Sequence, residues 1–175
     1  IPRKQTERAN FSDLQSQCKP LSLEDRKRVL AIAHPENFPL TRYRKGPRSE
    51  RGLENETDCS HFVHEVYQRA GLPYNFRTTS ELGKAEEFER LPEEAARPGD
   101  LMLFRGHVGI VDENGKIISA LRTRKRKRKS SIASIDRRFF RTFRGQRYVL
   151  RYRCSNIEGE PSAEGRSTAS EKRVE

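Results

Sequence analysis

The chain has 175 residues, 33% hydrophobic and 35% charged, which is enough for one ordinary domain whose core cannot extend over the full length. Its formal net charge of +11 favours polyanionic partners such as nucleic acid, anionic lipid or acidic cell-wall polymers. No apolar run approaches the roughly 18 residues of a membrane-spanning helix, so no transmembrane segment is expected in this sequence.

Polar composition predicts that both ends lie outside the folded core. Residues 1–20 are polar apart from Ile1 and the isolated Phe11 and Leu14, and residues 155–175 are rich in Glu and Ser. Such stretches bury too little apolar surface to offset the entropy of ordering them. We therefore expect a flexible N-terminal segment at 1–20, one domain at 21–153 and a disordered tail at 155–175.

The first predicted helix covers residues 21–34. Ser22 is a candidate N-cap, Asp25 occupies the third helical position, and an apolar side follows at three-and-four spacing until Pro35 ends the helix. The next stretch, residues 41–57, is polar with several Gly and Pro residues and is predicted to be a loop.

The second predicted helix covers residues 58–70 and begins at the sequence Asp-Cys-Ser. Its apolar residues form one stripe, and Cys59 lies at the N-terminal end of that stripe. Gly71 and Pro73 then end the helix. A short third helix is predicted near 79–90, because a Thr/Ser cap precedes it.

The second half of the chain is predicted to be an antiparallel meander. A turn and strand at 97–106 precede a hairpin at 107–121 with Asn-Gly at its tip. Two further strand candidates are Ser-Ile-Ala-Ser-Ile and Gln-Arg-Tyr-Val-Leu-Arg-Tyr-Arg. Helices followed by a meander favour an α+β fold with the helices packed on one face of the sheet.

Cys59 is the candidate nucleophile because it lies in the first turn of a helix. Unpaired main-chain N–H groups and the helix dipole are expected to lower the pKa of its thiol there. Taken alone, it could equally be a small buried residue of the apolar stripe. His107 is the candidate base, since it opens a strand on another element, whereas His61 and His64 lie on the helix side away from Cys59. That separation disfavours a metal site, and no cofactor is expected.

The register of the hairpin decides which residue can orient the His107 ring. A two-residue Asn-Gly loop would pair Glu113 with Lys116 and place Ser119 on the opposite face of the sheet. A three-residue loop would pair Asp112 with Lys116 and place Ser119 on the same face, diagonal to the histidine. Diagonal neighbours lie about 7–8 Å apart at the backbone, so a water molecule is expected to bridge the two side chains.

The three motifs together resemble the NlpC/P60 cysteine peptidases. "DCSHFV", "PGDLMLF" and "HVGIVDENGKIISA" keep the order and spacing of the family's Asp-Cys-Ser-Gly-Phe-Val, Pro-Gly-Asp-Leu and His-Val-Gly-Ile-Tyr patterns, the last followed by Asn-Gly and Ile-His-Ala. The likeness covers about residues 41–121. It implies a papain-like α+β domain that cuts peptidoglycan stem peptides, often at the γ-D-glutamyl bond to a diamino acid.

The resemblance also implies catalytic roles. Cys59 would be the nucleophile and His107 the base. Ser119 takes the position of the family's third polar residue, usually His, and this favours the three-residue loop.

An oxyanion and substrate-binding set is implied in the same way. Family members often have a Tyr about a dozen residues before the Cys; Tyr43 precedes Cys59 by sixteen positions and would serve here if an insertion between them loops out. Asp58 and Ser60 flank the nucleophile and complete the set, although Asp58 also suits a helix cap. The chain departs from the family pattern at His61, where the family has Gly, and it lacks the Gly-Gly segment before the Cys.

A basic insertion at 122–131 follows the strand that carries Ser119. Seven of the eight residues from 122 to 129 are Lys or Arg, which indicates either a polyanion-binding segment or a solvated extension of the hairpin. The candidate polyanion-binding residues are Arg122, Arg124, Lys125, Arg126, Lys127, Arg128 and Lys129. An alternative function is therefore a catalytically impaired relative that binds cell-wall polymer or nucleic acid.

Other features of the chain give further expectations. "DCSHFV" is also similar to the Asn-Cys-Glu-His-Phe of lecithin:retinol acyltransferase-like proteins, but those place the His strand before the Cys. Cys18 and Cys154 could form a disulfide or remain two unpaired thiols. Because the chain begins at Ile1, processing or trimming is expected to have removed any signal peptide. We expect a secreted or periplasmic monomer.

Overall fold

The computed structural model describes residues 20–46, 52–122, 130–144 and 147–153. The predictions for the N-terminal segment up to residue 19, for the tail and for the Cys18–Cys154 pair lie outside these residues. The same holds for the basic residues from 124 to 129. The proposed domain limits of 21–153 remain a prediction.

The described elements begin with helices and continue with strands. The α-helices are α1 (Leu23–Ala33), α2 (Cys59–Arg69), α3 (Thr79–Leu82) and α4 (Arg137–Arg144). The strands are β1 (Arg42–Tyr43), β2 (Glu56–Thr57), β3 (Phe88–Leu91), β4 (Leu101–Phe104), β5 (His107–Val111), β6 (Ile117–Ala120), β7 (Ile132–Ile135) and β8 (Tyr148–Tyr152). Two short 3₁₀ helices cover Pro35–Asn37 and Glu93–Ala95.

Six strands form one antiparallel sheet in the order β3-β8-β4-β5-β6-β7, and β1 and β2 form a separate parallel pair. The strands β4 to β7 are the predicted meander, while β8 returns to lie between β3 and β4. α2 packs across β5 and β6, and α1 packs on α2. The predicted α+β fold, with N-terminal helices on an antiparallel sheet, is confirmed.

α1 begins and ends where its sequence predicts. The Ser22 hydroxyl accepts a hydrogen bond from the main-chain N–H of Asp25 at 3.1 Å, and the Asp25 carboxylate accepts one from the Ser22 N–H at 3.0 Å. This reciprocal capping box satisfies two main-chain donors that the first turn leaves unpaired. The helix stops before Pro35, which cannot continue it.

Two predictions of local structure are wrong. The helix predicted at 79–90 ends at Leu82, and Phe88 pairs with Tyr152 of β8 instead. Phe88 is buried by this pairing, so tertiary contact overrides the helix propensity of the neighbouring Ala-Glu-Glu. The loop predicted at 41–57 contains β1 and β2, whose two-residue length is too short to show any periodicity.

The sheet is covered on both faces. Val108 and Ile110 of β5 belong to the cluster that includes α1 and α2. Val111 belongs to a second cluster on the other face, to which α4 contributes Phe140. Every residue of β4, β5 and β6 is accordingly buried. Helices were expected on one face only, and α4 was not predicted.

Buried tyrosines predict that the fold weakens at high pH. Burial raises the pKa values of Tyr67, Tyr74 and Tyr152. Above about pH 10 the unfolded chain loses phenolic protons that the folded chain keeps. The free energy of unfolding should therefore fall by about 1.4 kcal/mol per pH unit for each fully buried tyrosine. Urea unfolding curves recorded at pH 7 and near pH 11 measure this slope.

Tyr74→Phe isolates one of these groups. The Tyr74 hydroxyl has no hydrogen-bond partner among the described residues, so its loss should leave stability at pH 7 unchanged or higher. Above about pH 10 the free energy of unfolding of Tyr74→Phe should fall less steeply with pH than that of the wild type, by the contribution of one tyrosine proton. An unchanged slope would contradict the assignment.

Candidate active site

The start of α2 is fixed by Asp58. Its carboxylate accepts hydrogen bonds from the main-chain N–H of His61 at 2.9 Å and from the Ser60 hydroxyl at 3.1 Å. Asp58 is therefore the N-cap, as predicted, and Ser60 supports the cap. Cys59 is the first helical residue and is only 6% exposed.

The hairpin adopts the three-residue loop. The Asp112 N–H donates to the Lys116 carbonyl at 2.8 Å, and Gly115 has a positive φ of 72°. Val111 therefore pairs with Ile117, which brings Ser119 opposite Gly109. The prediction that Ser119 and His107 lie on the same face of the sheet is confirmed.

Ser119 contacts His107 directly. The Nε2 atom of His107 and the Oγ atom of Ser119 form a buried hydrogen bond of 3.1 Å, so the predicted bridging water is wrong. Gly109 explains the short span between the strands. A Cβ atom on Gly109 would lie 2.3 Å from the Ile117 side chain and 2.9 Å from the Ser119 Cβ. The missing side chain lets β5 and β6 approach until a serine can reach the ring.

A main-chain contact holds Cys59 at the start of β5. The N–H of Val108, the residue after His107, donates a hydrogen bond to the Cys59 sulfur. The N–H groups of Cys59 and Ser60 also interact with the sulfur. The first residue of α2 and the first residues of β5 therefore meet at one end of the sheet.

Burial, more than any other factor, sets the ionisation of the thiol. It raises the pKa of Cys59, and the Asp58 carboxylate adds to the rise. Hydrogen bonds from the N–H groups of Val108, Ser60 and Cys59 lower the pKa without outweighing desolvation. The predicted lowering is wrong because a helix terminus favours the thiolate only where the charge stays solvated. A base is consequently needed to ionise this thiol at neutral pH.

The His107 ring lies against aromatic side chains that the sequence analysis missed. The Phe140 ring from α4 stacks on the imidazole with centroids 5.0 Å apart and planes 15° apart. Phe104 lies 6.2 Å from His107 and stacks on Phe140 at 4.7 Å. No motif indicated Phe140, because it follows the basic insertion, far along the chain from the histidine.

Tyr43 lies next to the start of α2. The parallel pairing of β1 with β2 aligns Tyr43 with Thr57, two residues before Cys59. The Arg44 N–H donates to the Thr57 carbonyl at 2.9 Å and continues this pairing. This pairing brings Tyr43 near the start of α2, as the resemblance required.

The remaining histidines have other contacts. The Nδ1 atom of His61 lies 3.2 Å from the Thr57 hydroxyl, and its Nε2 atom lies 3.6 Å from the Glu65 carboxylate. His64 contacts the carbonyl of Tyr74 at 3.0 Å. Within the described ranges, no three His, Cys, Asp or Glu side chains are grouped so that they could hold a metal ion.

The basic insertion leaves the sheet near the same end. Arg122, which is exposed, follows β6, and Ser131 precedes β7. The Ser131 carbonyl accepts from Leu121, and its N–H donates to Thr41. Since β6 runs antiparallel to β5, this exit lies at the end where β5 begins with His107.

Asp58→Asn should make Cys59 more reactive. Asparagine keeps an N-cap oxygen, whereas loss of the carboxylate charge removes one cause of the raised thiol pKa. Alkylation of Cys59 by iodoacetamide at neutral pH, followed by mass spectrometry of the Cys59 peptide, should be faster than in the wild type. Asp58→Ala serves as the control and should cost about 1 kcal/mol of stability through the lost cap. Slower alkylation of a stable Asp58→Asn variant would count against this electrostatic account.

The arrangement defines a class of protein. A buried cysteine begins a helix that lies on an antiparallel sheet, beside a strand that opens with histidine, as in papain-like cysteine hydrolases. The family model described as the NlpC/P60 family matches residues 41–144, more than half of the chain. The chain therefore belongs to the NlpC/P60 family. Members are generally hydrolytic cysteine peptidases of the cell wall, and many are secreted or lipoproteins.

A solved structure supports the fold. A Staphylococcus aureus protein of the NLP/P60 family, described as similar to a lipoprotein, matches with 17% sequence identity and a TM-score of 0.55. The match covers 80% of this chain and 45% of the Staphylococcus chain, so this chain corresponds to less than half of that protein. A search of curated proteins found no match. Among the described helices, none has the length and apolar character needed to cross a membrane.

Proposed function

We propose that this chain is a cysteine peptidase or amidase that hydrolyses amide bonds in peptidoglycan stem peptides. The observation that carries the proposal is the packing of α2, which begins with Cys59, against β5, which begins with His107. The hydrogen bond between His107 and Ser119 fixes the Nε2 side of the His107 ring, the candidate base. Membership of a family of cell-wall hydrolases supports the reaction class.

Proton transfer would start the reaction. In the tautomer whose Nε2–H donates to Ser119, Nδ1 carries no proton and would accept the one from Cys59. The thiolate attacks the amide carbonyl, and the C–N bond breaks as the imidazolium returns the proton to the leaving amine. His107 then removes a proton from water, and the hydroxide cleaves the thioester to a carboxylic acid and the restored thiol.

Main-chain N–H groups would stabilise the oxyanion that forms during attack. The Cys59 N–H belongs to the first turn of α2 and is the first candidate donor. Tyr43 is the second candidate donor, because β1 holds it beside Thr57. Asp58 and Ser60 would contribute by fixing the main chain of the helix start, since both are engaged in the cap.

The substrate would be the γ-D-glutamyl bond to a diamino acid, cleaved outside the cytoplasm in a secreted or periplasmic setting. The net charge of +11 supports retention on an anionic cell wall, and activity should decline as salt screens this attraction.

Digestion of purified peptidoglycan tests the proposal. Wild-type protein and Cys59→Ala are incubated with the polymer, and new termini are identified by mass spectrometry. We expect new amino and carboxyl ends from the wild type alone, with both proteins equally folded by circular dichroism. Absence of new ends from folded wild-type protein would overturn the proposal.

A second candidate function is binding without catalysis. The raised pKa of Cys59 and the presence of His61 where the family has Gly favour an impaired enzyme. Such a protein would bind an anionic polymer, either from the cell wall or nucleic acid, through the basic insertion. Cosedimentation with peptidoglycan at increasing salt tests this function, with wild type compared to a variant that carries Gln at the seven basic positions. Binding lost in the variant, together with no hydrolysis by wild type, would support it.

A further inference from the structure

The Nε2 atom of the His107 ring contacts a serine hydroxyl. A hydrogen bond of this kind fixes the position of Nε2 but does not by itself define the plane of the ring. A base must keep its other nitrogen aimed at the thiol, since misplacement by about 1 Å can cost about a hundredfold in rate. A contact with the face of the imidazole would define that plane.

Phe140 provides such a contact. Its ring is 2% exposed and lies nearly parallel to the His107 ring, with centroids 5.0 Å and planes 15° apart. Phe104 supports Phe140 from the sheet at 4.7 Å. A stacked face blocks rotation of the imidazole and keeps water from its hydrogen bond with Ser119, which strengthens that bond.

α4 is tied to the hairpin that carries the base. The Arg137 Nε atom donates to the Gly115 carbonyl at 2.9 Å, at the tip between β5 and β6. The helix that presents Phe140 is therefore anchored to the same hairpin as His107 and Ser119.

We propose that Phe140 is a positioning residue that fixes the plane of the His107 ring and so compensates for the short side chain of Ser119. The inference rests on the proposed function, in which His107 is the base. Phe140 itself would not touch the substrate.

Phe140→Leu tests the inference, because leucine keeps an apolar side chain and removes the aromatic face. Phe139→Leu is the matched control on the same helix, since Phe139 is 53% exposed. On peptidoglycan peptides, Phe140→Leu should lower kcat by about ten- to a hundredfold with KM within about twofold. Phe140→Trp should restore most of the activity. The ring-proton NMR resonances of His107, shifted by the stacked ring, should move in Phe140→Leu and stay in Phe139→Leu.

Each outcome decides a different question. If wild type hydrolyses and Phe140→Leu matches Phe139→Leu in kcat and NMR, the inference is overturned and the proposed function stands. If wild type does not hydrolyse, the proposed function fails. The inference is then decided by the His107 resonances and the Cys59 alkylation rate: a change confined to Phe140→Leu supports it, and no change overturns it. Should Phe140→Leu not fold, Phe140→Met replaces it, because methionine is also apolar, lacks an aromatic face and is flexible enough to fill the site.

Discussion

His107→Ala is expected to lower kcat on peptidoglycan peptides by about 10²- to 10⁴-fold. Burial raises the pKa of Cys59, so the thiol is mainly protonated at neutral pH and a group that takes its proton would speed the attack. Removal of the imidazole eliminates both that acceptor and the acid that protonates the leaving amine. Product release measured by mass spectrometry, together with the alkylation rate of Cys59, gives the size of both effects.

His34→Ala is the matched control, because this histidine follows α1 and its side chain is 58% exposed. It should retain wild-type kcat. Added imidazole should restore part of the activity of His107→Ala, since a small base can enter the space that the ring vacates. Wild-type turnover by a folded His107→Ala variant would remove His107 from the mechanism.

Local signals explain what the sequence predicted well. Ser22 and Asp25 form a capping box that needs only residues of the same turn, and Asp58 caps α2 in the same way. The hairpin register follows from Gly115, which occupies the left-handed conformation that a three-residue loop requires. The alignment of Ser119 with the histidine strand then follows from the alternation of side chains along β6.

Contacts between distant segments explain what the sequence could not predict. Phe88 becomes part of a strand only because β8, far along the chain, pairs with it. Phe140 reaches the His107 ring through the packing of α4, for which no periodicity or motif near the histidine could provide a signal. The pKa of Cys59 depends on how deeply the neighbouring elements bury the sulfur, and this burial cannot be predicted from the position of Cys59 at a helix terminus.

Asp100→Ala is expected to destabilise the protein by about 3–5 kcal/mol. The Asp100 carboxylate is fully buried and forms ion pairs with Arg26 of α1 at 2.9 Å and Arg151 of β8 at 2.8 Å. It also accepts a hydrogen bond from the Arg97 N–H at 3.0 Å. Without the carboxylate, two largely buried guanidinium groups lose their acidic partner and the first helix loses its link to the sheet. Urea unfolding at neutral pH measures the loss.

Two variants separate this cost from that of an ordinary ion pair. Glu54→Ala breaks the exposed pair with Arg69 and should cost at most about 1 kcal/mol. Adding Arg26→Met to Asp100→Ala should recover part of the lost stability, because one unpaired buried charge is removed. If Asp100→Ala proved no more costly than Glu54→Ala, the link between α1, β4 and β8 would not depend on this carboxylate. The Pro-Gly-Asp motif would then act only through the turn that it forms. Gly99 lets this turn approach α1 closely, since a Cβ atom on Gly99 would lie 3.2 Å from the Arg26 Cα atom.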